Sequence, residues 1–216
     1  MIDVIHEINA ARRQVGTRVL EAGEARTVTI TRTYAAEVED VWDAVTNPER
    51  IRRWFLPVSG DLHVGGRYQI EGNASGTIQT CNAPHGLSAT WEYGDEISWI
   101  ELRLSQAANG HTRFELEHIA HVDDERWAQF GPGAVGVGWD LGLLGLAGHL
   151  GRYATVEPSE AAAWSASEEG RRYATLSSEA WREASVAAGT DPESARAAAE
   201  RTTAFYTGMP APSGTS

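Results

Sequence analysis

The sequence predicts an α+β fold in which a curved antiparallel sheet wraps around one long, glycine-rich helix, with a helical extension after it. Residues 59–121 place apolar side chains at every second position, which is typical of strands. The next segment, up to residue 150, places them at helical spacing. Residues 151–208 are rich in alanine, glutamate and arginine, which favours further helices. A chain of 216 residues has room for one such domain and an appendage.

The first part of the chain predicts a helix, a linker, a strand and two short helices. Apolar side chains at helical spacing predict an amphipathic helix over residues 3–15, so that residues 1–24 form an N-terminal helix and linker. Residues 25–35 alternate β-branched and polar side chains, which predicts a strand. An apolar stripe on residues 38–45 predicts the first short helix. Asn47 is expected to cap the second.

The middle of the chain predicts a sheet that is covered on one side only. Short alternating runs are separated by glycine, asparagine or aspartate, which indicates antiparallel strands joined by tight turns. One face is apolar and the other is charged, as expected for a sheet with one solvated face. The predicted covered face carries Tyr68, Ile70, Ala89, Trp91, Tyr93, Ile100, Leu102, Leu104, Phe114, Leu116 and His118.

One long helix is predicted to cover that face, in the segment WAQFGPGAVGVGWDLGLLGLAGHL. It carries an apolar stripe at helical spacing, with glycines 136, 138, 142, 145 and 148 within it. Each interior glycine costs roughly 1 kcal/mol relative to alanine, so packing must stabilise this helix. Two explanations stay open: close backbone packing, or room left for a ligand. The stripe consists of Val135, Trp139, Leu143, Leu146 and Leu150.

The extension over residues 151–208 is predicted to form two or three helices that dock on the rest of the molecule. Its aromatic side chains represent too much apolar area to leave in water, and so small a unit buries little by itself. We expect it to pack against the N-terminal helix and the edge of the core, with homodimerisation as the alternative. Residues 209–216 are expected to be a disordered tail. The apolar side chains are Trp164, Tyr173, Leu176, Trp181, Phe205 and Tyr206.

Composition excludes several classes of function. The formal net charge of -12 disfavours nucleic acid and anionic membrane surfaces, which need a basic face. The single cysteine, Cys81, excludes an internal disulfide or a multi-cysteine zinc site, and we expect no metal and no cofactor. All 18 basic residues are arginine, which excludes Schiff-base chemistry on lysine. Without an apolar leader or a membrane-length apolar stretch, we expect a cytoplasmic protein.

Residues 25–150 resemble the SRPBCC (START-like) superfamily and, within it, the family named after the activator of Hsp90 ATPase. The resemblance implies a helix-grip domain with an internal cavity, which relatives use for lipids, polyketides, hormones or antibiotics. Several relatives are cyclases or hydrolases, and many only bind. The co-chaperone that names the family grips Hsp90 with a separate domain that has no counterpart here. The matching segments are VEDVWDAVTNPERIRRWF, VGGRYQ, ATWEY, TRFELEHIA and GVGWDLGLLGLAGHL.

Two titratable side chains are candidates for catalysis. His118 shares the inward face of its strand with Phe114 and Leu116, and an imidazole can donate, accept or shuttle a proton near neutral pH. The alternative is a hydrogen-bonded core histidine without chemistry. Asp140 could face the cavity and polarise His118 or a ligand hydroxyl, or it could face solvent or pair with an arginine. His121 falls on the opposite face from His118, so the two are not a metal-ligand pair.

Aromatic and aliphatic side chains predict the wall of a ligand pocket, although each could equally be plain core. The GxGxxG match at residues 131–136 is discounted, because a dinucleotide site needs that turn between a strand and a helix. The predicted ligand-binding residues are Trp54, Phe55, Tyr68, Trp91, Tyr93, His118, Trp139 and Leu143.

Three functions follow as hypotheses. The first is the binding of a small apolar or aromatic molecule, lipid-like or polyketide-like. The second is a cyclase or hydrolase that uses His118 with Asp140 or a tyrosine as acid and base. The third is an interaction module, such as a chaperone cofactor or a dimeric regulator, with the extension as its binding surface.

Overall fold

An eight-stranded antiparallel sheet is the frame of the fold in this computed structural model, which describes residues 2–151 and 158–209. The strands are β1 (Ala11–Leu20), β2 (Gly23–Tyr34), β3 (Val58–Gly60), β4 (Arg67–Ile70), β5 (Ser75–Asn82), β6 (Gly86–Tyr93), β7 (Glu96–Gln106) and β8 (Thr112–Ala120). Their order across the sheet is β1-β2-β8-β7-β6-β5-β4-β3. Only the β2–β8 neighbours are far apart in sequence, and they join the N-terminal hairpin to the later meander.

One helix precedes the first hairpin, and the others follow the first hairpin or the last strand. They are α1 (Val4–Asn9), α2 (Val38–Thr46), α3 (Pro48–Ile51), α4 (Asp124–Phe130), α5 (Gly133–His149), α6 (Pro158–Ala166), α7 (Glu168–Ala187) and α8 (Pro192–Thr207). The predicted cap of α3 is confirmed, because the Asn47 side chain accepts the Glu49 backbone N–H at 3.0 Å. Together with the sheet, these helices confirm the predicted α+β class.

The two faces of the sheet differ as the alternation predicted. Ile30, Leu116 and Leu102 are paired in register across β2, β8 and β7, and all three are buried on the inner face. On the outer face Arg18 donates to Glu101 at 2.5 Å and to Glu117 at 2.8 Å. The prediction of a sheet that is covered on one side is therefore confirmed.

The covering helix is broken into two. α4 and α5 meet at an angle of 53°, at Gly131 and Pro132. Gly131 has a φ of 58°, which favours glycine, and Pro132 cannot continue α4 because it lacks an N–H. Of these two helices, α5 is the one that packs along the sheet, and its Val137, Leu143 and Leu146 are buried. Within the described ranges no single helix is long and apolar enough to span a membrane, and only the bent α4–α5 pair meets that test together.

The predicted helix over residues 3–15 is wrong in its second half. α1 ends at Asn9, and residues 11–20 are not a linker but strand β1, which pairs with β2 along its whole length. Ala11 and Val15 are four positions apart, a spacing that suits one face of a helix and one face of a strand equally well. Ten cross-strand pairs with β2 decide between them in favour of the strand.

The extension packs where the sequence predicted. α7 lies against α1, β1 and α5, and its Tyr173 and Trp181 side chains are fully buried. Tyr173 shares a cluster with Val4 and Ile8 of α1. Phe205, one of the aromatic side chains of the extension, stays 71% exposed near the end of α8. Of the predicted disordered tail, all but Met209 lies outside the described residues.

Candidate functional site

A cavity of about 430 Å³ lies between the sheet and α5, with side chains of α2 and α3 in its wall. Six of the predicted ligand-binding residues line it: Trp54, Phe55, Tyr68, Trp91, Trp139 and Leu143. The sequence did not single out the other lining residues as a site. They are Trp42, Val45, Thr46, Ile51, Val58, Leu62, His63, Val64, Ile70, Ile78, Cys81, Ala83, Leu87, Ala89, Ile100, Leu102, Phe114, Leu116 and Gly142.

Trp54 and Phe55 reach the cavity because the chain turns out of α3 and crosses α5. The Trp54 indole N–H donates to the Ala44 carbonyl at 3.0 Å, which fixes the ring against α2. The two rings lie 5.7 Å apart, tilted by 33°. Together they form one aromatic side of the cavity.

Two glycines of α5 lie next to this turn, and the space around them differs. A Cβ at Gly145 would collide with the Trp54 carbonyl oxygen, so Gly145 allows close backbone packing. A Cβ at Gly142 would meet only the Phe55 ring, at 3.9 Å, and Gly142 lines the cavity. Close backbone packing therefore explains Gly145, whereas Gly142 leaves space at the cavity wall.

The two glycines predict opposite responses to alanine. Gly142→Ala should raise the free energy of unfolding by up to about 1 kcal/mol, because alanine favours the helix and finds ordinary contact distances. Gly145→Ala should lower it by about 1–3 kcal/mol, because the turn at Trp54 must move. Parallel urea unfolding of both variants checks this. Changes of the same sign would contradict the assignment.

His118 lies on the inner face of β8 as predicted, and its ring is part of a hydrogen-bonded chain. The Trp139 indole N–H donates to His118 Nδ1 at 3.1 Å, and His118 Nε2 lies 2.9 Å from the Ser98 hydroxyl. Ser98 in turn donates to the Trp91 carbonyl at 3.0 Å. An indole can only donate, so Nδ1 is the acceptor and Nε2 carries the proton. Burial lowers the pKa of His118 to about 4, so the ring is neutral at physiological pH.

The chain of hydrogen bonds occupies both nitrogens of His118, and the residue is absent from the cavity lining. Trp139 lies between it and the cavity, with its ring 4.9 Å from that of Trp91. The arrangement orients the two indoles on α5 and β6. For the imidazole, it favours the core-histidine alternative over a general base.

Asp140 does not line the cavity, and of the alternatives that the sequence left open it takes the ion pair with an arginine. Its carboxylate accepts two bonds from Arg13, at 2.7 and 2.9 Å, and one each from Ser177 Oγ and Trp181 Nε1, at 2.6 and 2.9 Å. Successive helical residues point about 100° apart, so Asp140 faces α7 and the edge strand β1, while Trp139 faces β6 and β8 in the middle of the sheet. The arginine alternative is the one that the structure contains.

Tyr93 is, after His118, the second predicted ligand-binding residue that does not line the cavity. It is 62% exposed at the last position of β6, next to the turn at Gly94, and it does not line the cavity. Strand parity assigned it to the correct face but could not tell that the face is uncovered there. The residues that parity missed, such as Leu62 and Val64, lie in a loop without any repeat.

The polar groups of the cavity wall are mostly used inside the protein. The Tyr68 hydroxyl donates to the Thr90 carbonyl at 2.6 Å, and burial raises the pKa of this phenol. Thr46 Oγ1 donates to the Trp42 carbonyl at 2.7 Å. Among the residues that the structure describes, no lining side chain is Asp, Glu or Arg. In the same residues, no group of three His, Cys, Asp or Glu side chains is placed to hold a metal ion.

Comparison with known proteins identifies the family. The family described as "Activator of Hsp90 ATPase homolog 1-like protein" matches residues 35–151. The crystal structure of CalU16 from Micromonospora echinospora is 36% identical, with a TM-score of 0.65, and the match covers 81% of this chain and 98% of that one. The CalU16 solution structure is 35% identical, with a TM-score of 0.69, and the match covers 83% of this chain and 97% of that one.

A more distant relative has a similar structure. The crystal structure of MLL2253 from Mesorhizobium loti is 25% identical, with a TM-score of 0.53, and the match covers 59% of this chain and 98% of that one. No curated protein matches the chain. The family match covers more than half of the chain, and CalU16 aligns over almost its whole length. The chain therefore belongs to the family of activator of Hsp90 ATPase homolog 1-like proteins.

Proposed function

We propose that this protein binds a small apolar or aromatic molecule, lipid-like or polyketide-like, in the cavity between the sheet and α5. The observation that carries the proposal is the composition of the wall, in which tryptophan, phenylalanine, leucine, isoleucine and valine predominate. A cavity of about 430 Å³ is within the range of small-molecule sites. Four of the eight tryptophans lie in this wall, where ligand contact would desolvate their rings.

The cyclase or hydrolase alternative has less support. An acid or base must reach the substrate, but His118 bonds Trp139 and Ser98, and Asp140 bonds Arg13 on the far side of α5. The interaction-module alternative relied on the extension. Two of its aromatic side chains, Tyr173 and Trp181, are fully buried within the molecule. A homodimer stays a prediction.

We also propose that the protein works in the cytoplasm. Cys81 is an exposed free thiol, which suits a reducing compartment.

Filling the cavity should abolish binding. Gly142→Leu would place an isobutyl group beside the Phe55 ring, in the space that a ligand would occupy. N-phenyl-1-naphthylamine, an uncharged probe that fluoresces in apolar sites, should bind the unchanged protein saturably and the variant at least about ten-fold more weakly. Val135→Leu is the control, because Val135 lies on the same helix and is partly exposed. Equal binding by a folded Gly142→Leu protein would contradict the proposal.

A further inference from the structure

We infer that the ligand is an uncharged, rigid polycyclic aromatic molecule that contacts the Trp91 and Trp139 indoles, and not a fatty acid or another flexible lipid. The inference rests on the proposed function, since it names the ligand class of the same cavity. Three features of the wall support it: its lack of charge, its aromatic content and the fixed orientation of its rings.

The wall offers no buried ionised partner for a charged ligand. Within the described part of the chain, its titratable side chains are Tyr68, His63 and Cys81. The Tyr68 hydroxyl already donates to Thr90, and His63 and Cys81 are exposed. A carboxylate moved from water into this cavity would lose its hydration without gaining a cation, which is strongly unfavourable. The wall therefore selects against fatty acids and other anions.

Two pairs of aromatic rings line the cavity. The Trp91 and Trp139 rings lie 4.9 Å apart and are tilted by 58°. Trp54 and Phe55 form the tilted pair described above. Aromatic rings prefer offset or edge-to-face contacts at such separations, so an inserted ring system finds favourable partners in the wall.

Hydrogen bonds hold the indoles in place before any ligand arrives. Trp139 is fixed by its bond to His118, and Trp54 by its bond to Ala44. The Ser98 link extends the first of these bonds to the backbone of Trp91. A rigid ligand on a rigid wall loses little conformational freedom, whereas an alkyl chain loses rotamer entropy at each bond that is fixed. His118 is thus a positioning residue for the aromatic wall.

Four ligands in matched pairs test the inference in the full-length protein. Isothermal titration at about pH 8 would compare 9-anthracenemethanol with 9-anthracenecarboxylate, and 1-dodecanol with dodecanoate, because both acids are ionised there. We expect 9-anthracenemethanol to bind at least about ten-fold more tightly than each of the other three. Equal or tighter binding of dodecanol, or of either carboxylate, would overturn the inference.

Two variants separate this inference from the proposed function. Trp91→Leu should reduce the preference for 9-anthracenemethanol over dodecanol, whereas Trp127→Leu, at a residue outside the cavity, should leave it unchanged. If dodecanol binds best and Gly142→Leu abolishes its binding, the inference fails and the proposed function stands. If no ligand binds, or Gly142→Leu changes nothing, the proposed function fails as well. The four-ligand comparison in the unchanged protein decides the inference even if a variant does not fold.

Discussion

Asp140→Ala is expected to lower the free energy of unfolding by roughly 3–5 kcal/mol, the range for breaking a buried ion pair from one side. The Arg13 guanidinium, 5% exposed, would keep its charge in the interior without its carboxylate. Ser177 and Trp181 would lose their acceptor as well. Urea unfolding followed by circular dichroism measures the loss.

Two further variants show whether the buried charge is the cause. Replacing both partners, in Arg13→Met with Asp140→Leu, should recover much of the lost stability, because no unpaired charge remains. Arg52→Ala removes a surface ion pair with Glu49 and should change the free energy of unfolding by less than about 1 kcal/mol. If Asp140→Ala cost no more than Arg52→Ala, the central role of the Arg13–Asp140 pair would be refuted.

Acid is expected to destabilise the protein through His118 by about 3 kcal/mol between pH 6.5 and about 4. In the unfolded chain the imidazole has its ordinary pKa near 6.5, whereas burial lowers the folded value to about 4. Between these values the unfolded state binds the extra proton and the folded state does not, so stability falls as the pH falls. The contribution is complete above pH 6.5 and is lost once the pH reaches about 4.

His118→Gln should remove this part of the pH dependence. The variant is compared with the unchanged protein by urea unfolding at a series of pH values, and His121→Gln, at an exposed histidine, is the control. His149 acts in the same direction, because burial and the neighbouring Arg50 and Arg53 lower its pKa. The difference between the two curves isolates His118. Parallel curves for His118→Gln and the unchanged protein would rule out a buried neutral imidazole.

The alternation of the sequence predicted which residues of β4, β6, β7 and β8 face inwards, because strand parity is a local property. It also predicted that His118 shares a face with Leu116. The partners of these side chains are not local. Arg13 is 127 positions from Asp140, and no pattern within either segment links them. The sequence could therefore offer an arginine partner for Asp140 only as one of several alternatives.

The sequence predicted the cavity-lining residues that lie on strands or helices with a periodic apolar pattern, and it missed most of those that lie in loops. Trp91 and Trp139 were found because each lies on a periodic apolar face. Leu62 and Val64 lie in a loop whose position depends on backbone bonds between Gly65, Gly66 and Ile78 of β5. The sequence predicted Trp42 as part of the apolar stripe of α2, but only the packed structure shows that it lines the cavity.

The packing of α1 on α7 has a consequence for the synthesis of the protein. Ile2 donates its backbone N–H to Glu169, 167 positions later, and Val4 and Ile8 are buried in the cluster that Tyr173 completes. A ribosome releases the chain from its N-terminus, so the first helix emerges long before the surface that covers it. Until α7 follows, the nascent chain exposes these side chains of α1, and they offer a binding site to a holdase chaperone.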